Sequence, residues 1–208
     1  ISTVMYNYLC NNREIEKVIK IKRLILLFSV FMISIVFGAK FVINTWISKY
    51  NDSAIVMILL FAAQYASIII RCMHVNLYKA EKKQNRYFVI MIFIVVLSVI
   101  LNVILYNINK SIESIAFATL ITNIIWFIVG EIDFKKYRLK MKDYIYMITL
   151  LLLFIICGIF VNSILGFIIY IISAILLSII LLRETFIYFL SQISIYAKKY
   201  LNKIKGAN

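Results

Sequence analysis

Proline is absent from this chain and glycine occurs only five times. Both residues break helices, so the elements that form should be long and regular. Acidic residues are scarce as well, nine against 23 Lys and Arg, and histidine occurs once, at His74. No carboxylate falls in the middle of an apolar run; Glu113 and Glu131 stand at opposite ends of one run and the others lie in polar joints or tails. A membrane-embedded hydrolase or transferase needs carboxylates, histidines or a nucleophile gathered at one membrane depth. A cation-coupled exporter is expected to bury an acid for its cation. The spacing meets neither requirement, so the sequence predicts no enzyme and no buried acid. The three cysteines, Cys10, Cys72 and Cys157, have no paired spacing, and neither C-x-x-C nor H-E-x-x-H occurs. They read as free thiols, with no metal site and no cofactor. His74, just past the end of an apolar run, reads as an interfacial structural group, with a proton relay as the alternative.

What the chain has in abundance is apolar surface: 64% of residues are hydrophobic, 15% are charged, and the mean hydropathy is +0.97. That is too apolar for a soluble domain. Crossing the hydrocarbon layer takes about 20 mostly apolar residues, and six such windows occur, at 24–47, 54–70, 87–107, 112–130, 144–161 and 164–182. A backbone in lipid must satisfy its own hydrogen bonds. The expected fold is therefore all-α, a polytopic membrane bundle of six transmembrane helices.

Orientation follows from the basic residues. Residues 1–23 carry five (Arg13, Lys17, Lys20, Lys22, Arg23) and the joint at 48–53 only Lys49. The next joint, 71–86, carries five (Arg71, Lys79, Lys82, Lys83, Arg86), and 108–111 only Lys110. Residues 131–143 again carry five (Lys135, Lys136, Arg138, Lys140, Lys142), 162–163 none, and the tail five (Arg183, Lys198, Lys199, Lys203, Lys205). With Lys40 these account for all 23, so the net charge of +14 reads as a topology signal with both termini cytoplasmic, not as a nucleic-acid footprint. The same basic faces suit anionic membrane lipids as partners.

Three parts are expected. Residues 1–23 read as the end of a preceding helix and a cytoplasmic joint, since ISTVMYNYLC lacks the pattern of a signal peptide and suggests a chain continuing from an N-terminal portion. Residues 24–182 form the six-helix bundle. Residues 183–208 read as a cytoplasmic amphipathic tail helix, with Phe186, Phe189, Leu190, Ile193, Tyr196, Ala197, Tyr200, Leu201 and Ile204 at helical spacing.

Within the spans the hydrogen-bonding groups are few: Lys40, Gln64, Tyr65, Ser67, Asn102, Thr119, Thr122 and Asn123. Each is costly in lipid unless it meets another helix or a hydrated cavity. Thr119, Thr122 and Asn123 share one stripe, which reads equally as helix-helix contact or cavity lining. Lys40 lies six residues before Trp46, about 9 Å along a helix, so its ammonium either snorkels to the outer interface or faces a cavity group.

The run NLYKAEKKQNRYFVIMIFIVVLSVILNVILYNINKSIESIAFATLITN, Asn76 to Asn123, resembles the C-terminal half of a polysaccharide or O-antigen flippase of the multidrug/oligosaccharidyl-lipid/polysaccharide exporter superfamily. The similar pieces are the basic, Gln-bearing joint, a helix closing with Asn102 to Leu105, and a short turn into SIAFATLIT, Ser114 to Thr122. Upstream, STVMYNYL is similar to a helix end that in the family often reads Tyr-Pro, with Asn7 in place of the Pro; Ile115-Ala116 replaces a common Gly-Ala. The resemblance implies two bundles forming a V around a central cavity. Residues 1–9 would end an eighth helix, and the six spans would be the ninth to fourteenth. It implies a bacterial cytoplasmic membrane, an N-terminal half of the same transporter as partner, and a polyprenyl-diphosphate oligosaccharide moved between leaflets by alternating access. Lys40, Gln64, Asn102, Thr119, Thr122 and Asn123 are then the substrate-pathway candidates. Two other expectations stand beside it: a membrane glycosyltransferase or polymerase with its active site in an N-terminal portion, and a structural subunit of a polysaccharide assembly complex.

Overall fold

The computed structural model describes residues 2–11 and 14–205, with the side chains of 3–11, 14–47 and 49–195. Arg13 of the first basic segment and the apolar and basic faces of the tail from Tyr196 onward lie outside the described residues. The helices are α1 (Ser2–Asn11), α2 (Ile15–Ile33), α3 (Ile35–Trp46), α4 (Ser53–Ile69), α5 (Val75–Ala80), α6 (Gln84–Asn109), α7 (Ile112–Asp133), α8 (Met141–Phe160), α9 (Ser163–Leu181) and α10 (Arg183–Lys205). A wide π-turn, Ile70–His74, joins α4 to α5 without a break. Among the described residues there is no strand. Six helical segments are long and apolar enough to cross a membrane: Ile15–Trp46, Ser53–Ala80, Gln84–Asn109, Ile112–Asp133, Met141–Phe160 and Ser163–Leu181. The chain is a multi-pass, all-α membrane protein.

The joints end helices by local chemistry, since proline is not available to do it. Lys110 closes α6 in the left-handed conformation at φ 44°, and Ser111 then accepts a hydrogen bond from the Ser114 N–H as the N-cap of α7. Asn162 caps α9 through the Ser163 N–H at 3.0 Å. Ser34 interrupts the first span: its hydroxyl donates to the Phe31 carbonyl at 2.6 Å, and the helix restarts as α3.

The helices run further than the apolar windows predict, and the excess lies at the end that carries the basic joints, here called the basic end. The first span starts at Ile15 rather than 24, the second continues to Ala80, the fourth ends at Asp133 and the fifth starts at Met141. A window stops at the first charge; a helix stops where its backbone bonds stop.

α4 is the centre of the bundle, packed against α7, α2, α8 and α3. Its buried Ala62, Ala63, Ala66 and Ser67 allow backbones to approach closely, which substitutes for the hydrophobic drive that lipid removes. At Gly158 of α8 a Cβ would lie 2.7 Å from Ile58 Cγ2, and at Gly166 of α9 2.8 Å from the Cys157 carbonyl, so both glycines are packing requirements. Phe37, Phe154 and Tyr170 pack together with ring centroids 5.4–5.7 Å apart. α6 stands apart: it packs on α7 and α5, and Ile94 is its one buried residue. α10 folds back on α2, with Phe189 stacked on Phe31 and the Lys20 ammonium 3.9 Å from the Tyr188 ring centroid.

The basic-residue pattern makes a direct topological prediction. Cysteines placed at Asn51 and Asn109 should react with an impermeant thiol reagent added outside intact cells, and cysteines at Lys83 and Lys140 should react only after permeabilisation. The reverse pattern would invert the bundle.

Candidate functional site

The extra turns at the basic end carry charge into the packed bundle. Glu131, in the last turn of α7, is buried, which corrects the expectation that no acid is buried here. Its Oε1 accepts from the Lys22 ammonium of α2 and lies 2.9 Å from His74 Nε2. Its Oε2 accepts from the Tyr144 hydroxyl of α8 and from the Leu139 N–H at 3.3 Å. Lys22 is fully buried and also donates to the Tyr137 carbonyl at 3.3 Å. One carboxylate thus holds α2, the π-turn, α8 and the 137–139 joint together. Charge-assisted bonds of this kind are about twice as strong as neutral ones.

His74 sits inside this cluster rather than at an interface, with only 1% of its surface exposed. The π-turn places it there: one extra residue per turn shifts His74 onto the face that meets α7. Gly130 makes the space, since a Cβ at that position would overlap the imidazole. The Phe127 ring lies alongside, 5.6 Å between centroids.

A second ion pair backs the first. Arg23 grips the buried Asp143 with two nitrogens, at 2.9 and 3.0 Å, and Asp143 also accepts the Lys140 N–H at 2.9 Å at the start of α8. Lys22 and Arg23 are therefore matched by Glu131 and Asp143, so the buried charges balance when His74 is neutral. Nearer the surface, Asp133 accepts from Tyr78 at 2.6 Å and from Arg86 Nε at 2.7 Å. Glu81 bridges Lys83 and Lys136, each at 2.7 Å. Burial pushes the Glu81 pKa up, but the hydrogen bonds from Lys136 and Lys83 outweigh it and hold the carboxyl below its usual value. Its contribution to stability is present above the unfolded carboxylate pKa and is lost as pH falls through the lowered one.

The six residues expected to line a pathway do not converge. Lys40 donates to the Gly158 carbonyl at 2.7 Å and the Val161 carbonyl at 3.0 Å. It ends on the unpaired carbonyls that close α8, where a cation also meets the negative end of the helix dipole. Thr119 donates to Ile115, Thr122 to Ala118 and Asn123 to Thr119, each within α7. Thr122 is buried; Thr119 and Asn123 are partly open. Asn102 of α6 lies 3.5 Å from the Ser98 hydroxyl. Gln64, in the middle of α4, is exposed on the surface of the bundle.

The sequence did not point to the Lys22–His74–Glu131 group as a site. Its members are 52 and 57 residues apart along the chain, each beyond an apolar window, and nothing in the spacing pairs them. Among the described residues no group of three His, Cys, Asp or Glu is placed to hold a metal ion. The chain matches no family model, no curated protein and no solved structure.

Substitutions at Lys22, Glu131 and Lys40 test this geometry. Lys22→Met leaves a buried carboxylate without its cation and should destabilise the protein by about 3–5 kcal/mol, read from unfolding in detergent. Adding Glu131→Gln should restore most of that, because the amide oxygen still accepts from Tyr144 and Leu139 while no unpaired charge remains. At the other end, Lys40→Met should lower stability by about 1–3 kcal/mol by stripping two carbonyls of their donor, and Lys40→Arg should recover it.

Proposed function

We propose that this chain is one helical bundle of a flippase that moves a polyprenyl-diphosphate-linked oligosaccharide across the bacterial cytoplasmic membrane, without chemistry of its own. The observation that carries the reading is Gln64. It sits mid-span on the helix at the centre of the bundle, yet its side chain is exposed on the bundle surface. An amide facing hydrocarbon costs roughly 2–7 kcal/mol when unpaired. A hydrated cavity shared with a second bundle removes that cost. The neighbouring helix α7 also leaves polar groups partly open, at Thr119 and Asn123. Each of these amide and hydroxyl groups can offer a hydrogen bond to a glycan and carries no fixed charge, which suits a polar cargo that must be released again.

The partner in this reading is the N-terminal half of the same transporter, which closes the cavity around α4 and α7. The basic end is cytoplasmic, where its lysines and arginines meet anionic headgroups and the diphosphate of the incoming cargo. The resemblance of the run Asn76 to Asn123 to the flippase pattern points to the same assignment. The ion pairs buried at the basic end favour a state closed on that side.

Flipping of a fluorescent lipid-linked oligosaccharide in proteoliposomes, by the complete transporter, tests the proposal. Gln64→Leu should reduce flipping by on the order of tenfold, about the value of one to two hydrogen bonds, while leaving the unfolding midpoint unchanged or raised. Normal flipping by Gln64→Leu, with raised stability, would mean that this face meets lipid and is not a pathway.

A further inference from the structure

We infer that His74 is a proton-binding site whose occupancy opens the basic end of the bundle. The inference names the driving ion for the transport proposed above and rests on that reading, although proton binding itself can be measured without cargo.

The geometry supplies an acceptor and a consequence. With Lys22 as ammonium and Glu131 as carboxylate, His74 donates from Nε2 to Glu131 Oε1, 2.9 Å away. That leaves the lone pair on Nδ1, which is buried and has no hydrogen-bond partner among the described residues. Buried polar groups are nearly always paired, so one left bare calls for an explanation. Histidine is also the side chain that gains or loses a proton between about pH 5 and 8. A groove of about 430 Å³ between α7 and α8 is lined at its polar end by Glu131, Arg138 and Tyr144. The carboxylate bonded to the imidazole therefore borders this groove at the basic end.

The charged groups that act on the ring are Glu131 and Asp133 of α7 and Lys22 of α2. α1, which also packs against the π-turn, contains no charged side chain. Uptake is a simple balance: a hydronium or buffer acid gives up one proton, one N–H bond forms on the ring, and the Lys22–Glu131–His74 cluster goes from neutral to +1. Arg23 and Asp143 compensate each other and offer nothing to offset it. Two cations then compete for one carboxylate oxygen in a desolvated site. Lys22 is the cation displaced in this inference, and since its ammonium on α2 bonds the carboxylate on α7, its release loosens the tie between the basic ends of those two helices.

The chain has a single imidazole, so ¹⁵N-histidine labelling reports His74 alone. In vesicles of phosphatidylethanolamine and phosphatidylglycerol, solid-state NMR should show one bare and one protonated ring nitrogen at pH 8.5, and two protonated nitrogens at pH 5. Spin labels at the exposed Glu16 and Lys135, in a background with Cys10, Cys72 and Cys157 replaced, should move apart by several ångströms over the same pH range. The widening should be absent in His74→Gln. A bare nitrogen that persists to pH 4.5, or a titration with no widening, would overturn the inference, and the wild-type NMR decides even where His74→Gln misfolds. Titration and widening without any flipping would leave the proton site standing and remove the flippase reading instead.

Discussion

A carboxylate taken out of water must be given back as many donors as it has lost, and the basic end of this bundle is organised by that requirement at Glu131. Four donors converge on its two oxygens, from α2, the π-turn, α8 and the joint before α8. Apolar packing could not fix these elements as tightly. Lipid tails are as apolar as leucine, so a helix in a membrane gains little by burying Leu or Ile against a neighbour. Register and closeness come instead from groups that lipid cannot satisfy and from residues small enough to let backbones touch. Ala62, Ala63 and Ala66 do the second on α4. Glu131, Lys22 and Asp143 do the first.

That division explains what could be read from the sequence and what could not. Six spans and an all-α class were legible because the membrane imposes them through composition alone. The helix ends at the basic side were not, since hydropathy falls at Lys22 or Glu131 whereas the backbone bonding continues through them. Pairing was hidden for a different reason. Lys22 and Glu131 are 109 residues apart, and charges at the rims of two windows look like ordinary solvated joints. His74 was misplaced by the π-turn, a single added residue per turn that has no sequence mark in this stretch and that turns a side chain from interface to core.

Lys40 and Gln64 show the limits from the other side. Both were conspicuous as polar groups in apolar runs, and for Lys40 the sequence left an outer-interface snorkel and a contact within the bundle open. Its destination could not be foreseen, because the acceptors are backbone carbonyls at the end of α8 and carry no side-chain signature. Gln64 was visible as a residue needing a partner; that it stands exposed on the bundle surface required knowing which face of α4 the neighbours leave open.

The two ends of the bundle are closed by different physics. The end opposite the basic one is held by backbone carbonyls meeting Lys40, by the Asn162 cap and by a long contact of 3.4 Å between Asn44 and Ser163. Such bonds contribute about 1 kcal/mol each and can be exchanged for water without stranding a buried charge. Opening the basic end means separating buried ions, whose charges stay uncompensated until water reaches them. Thermal motion alone would therefore open one end far more often than the other. A device that must open both in turn needs a chemical change at the expensive end, one that removes the reward for staying closed. Lys22, Arg23, Glu131 and Asp143 are already matched to one another as two ion pairs. The imidazole between them has no such commitment.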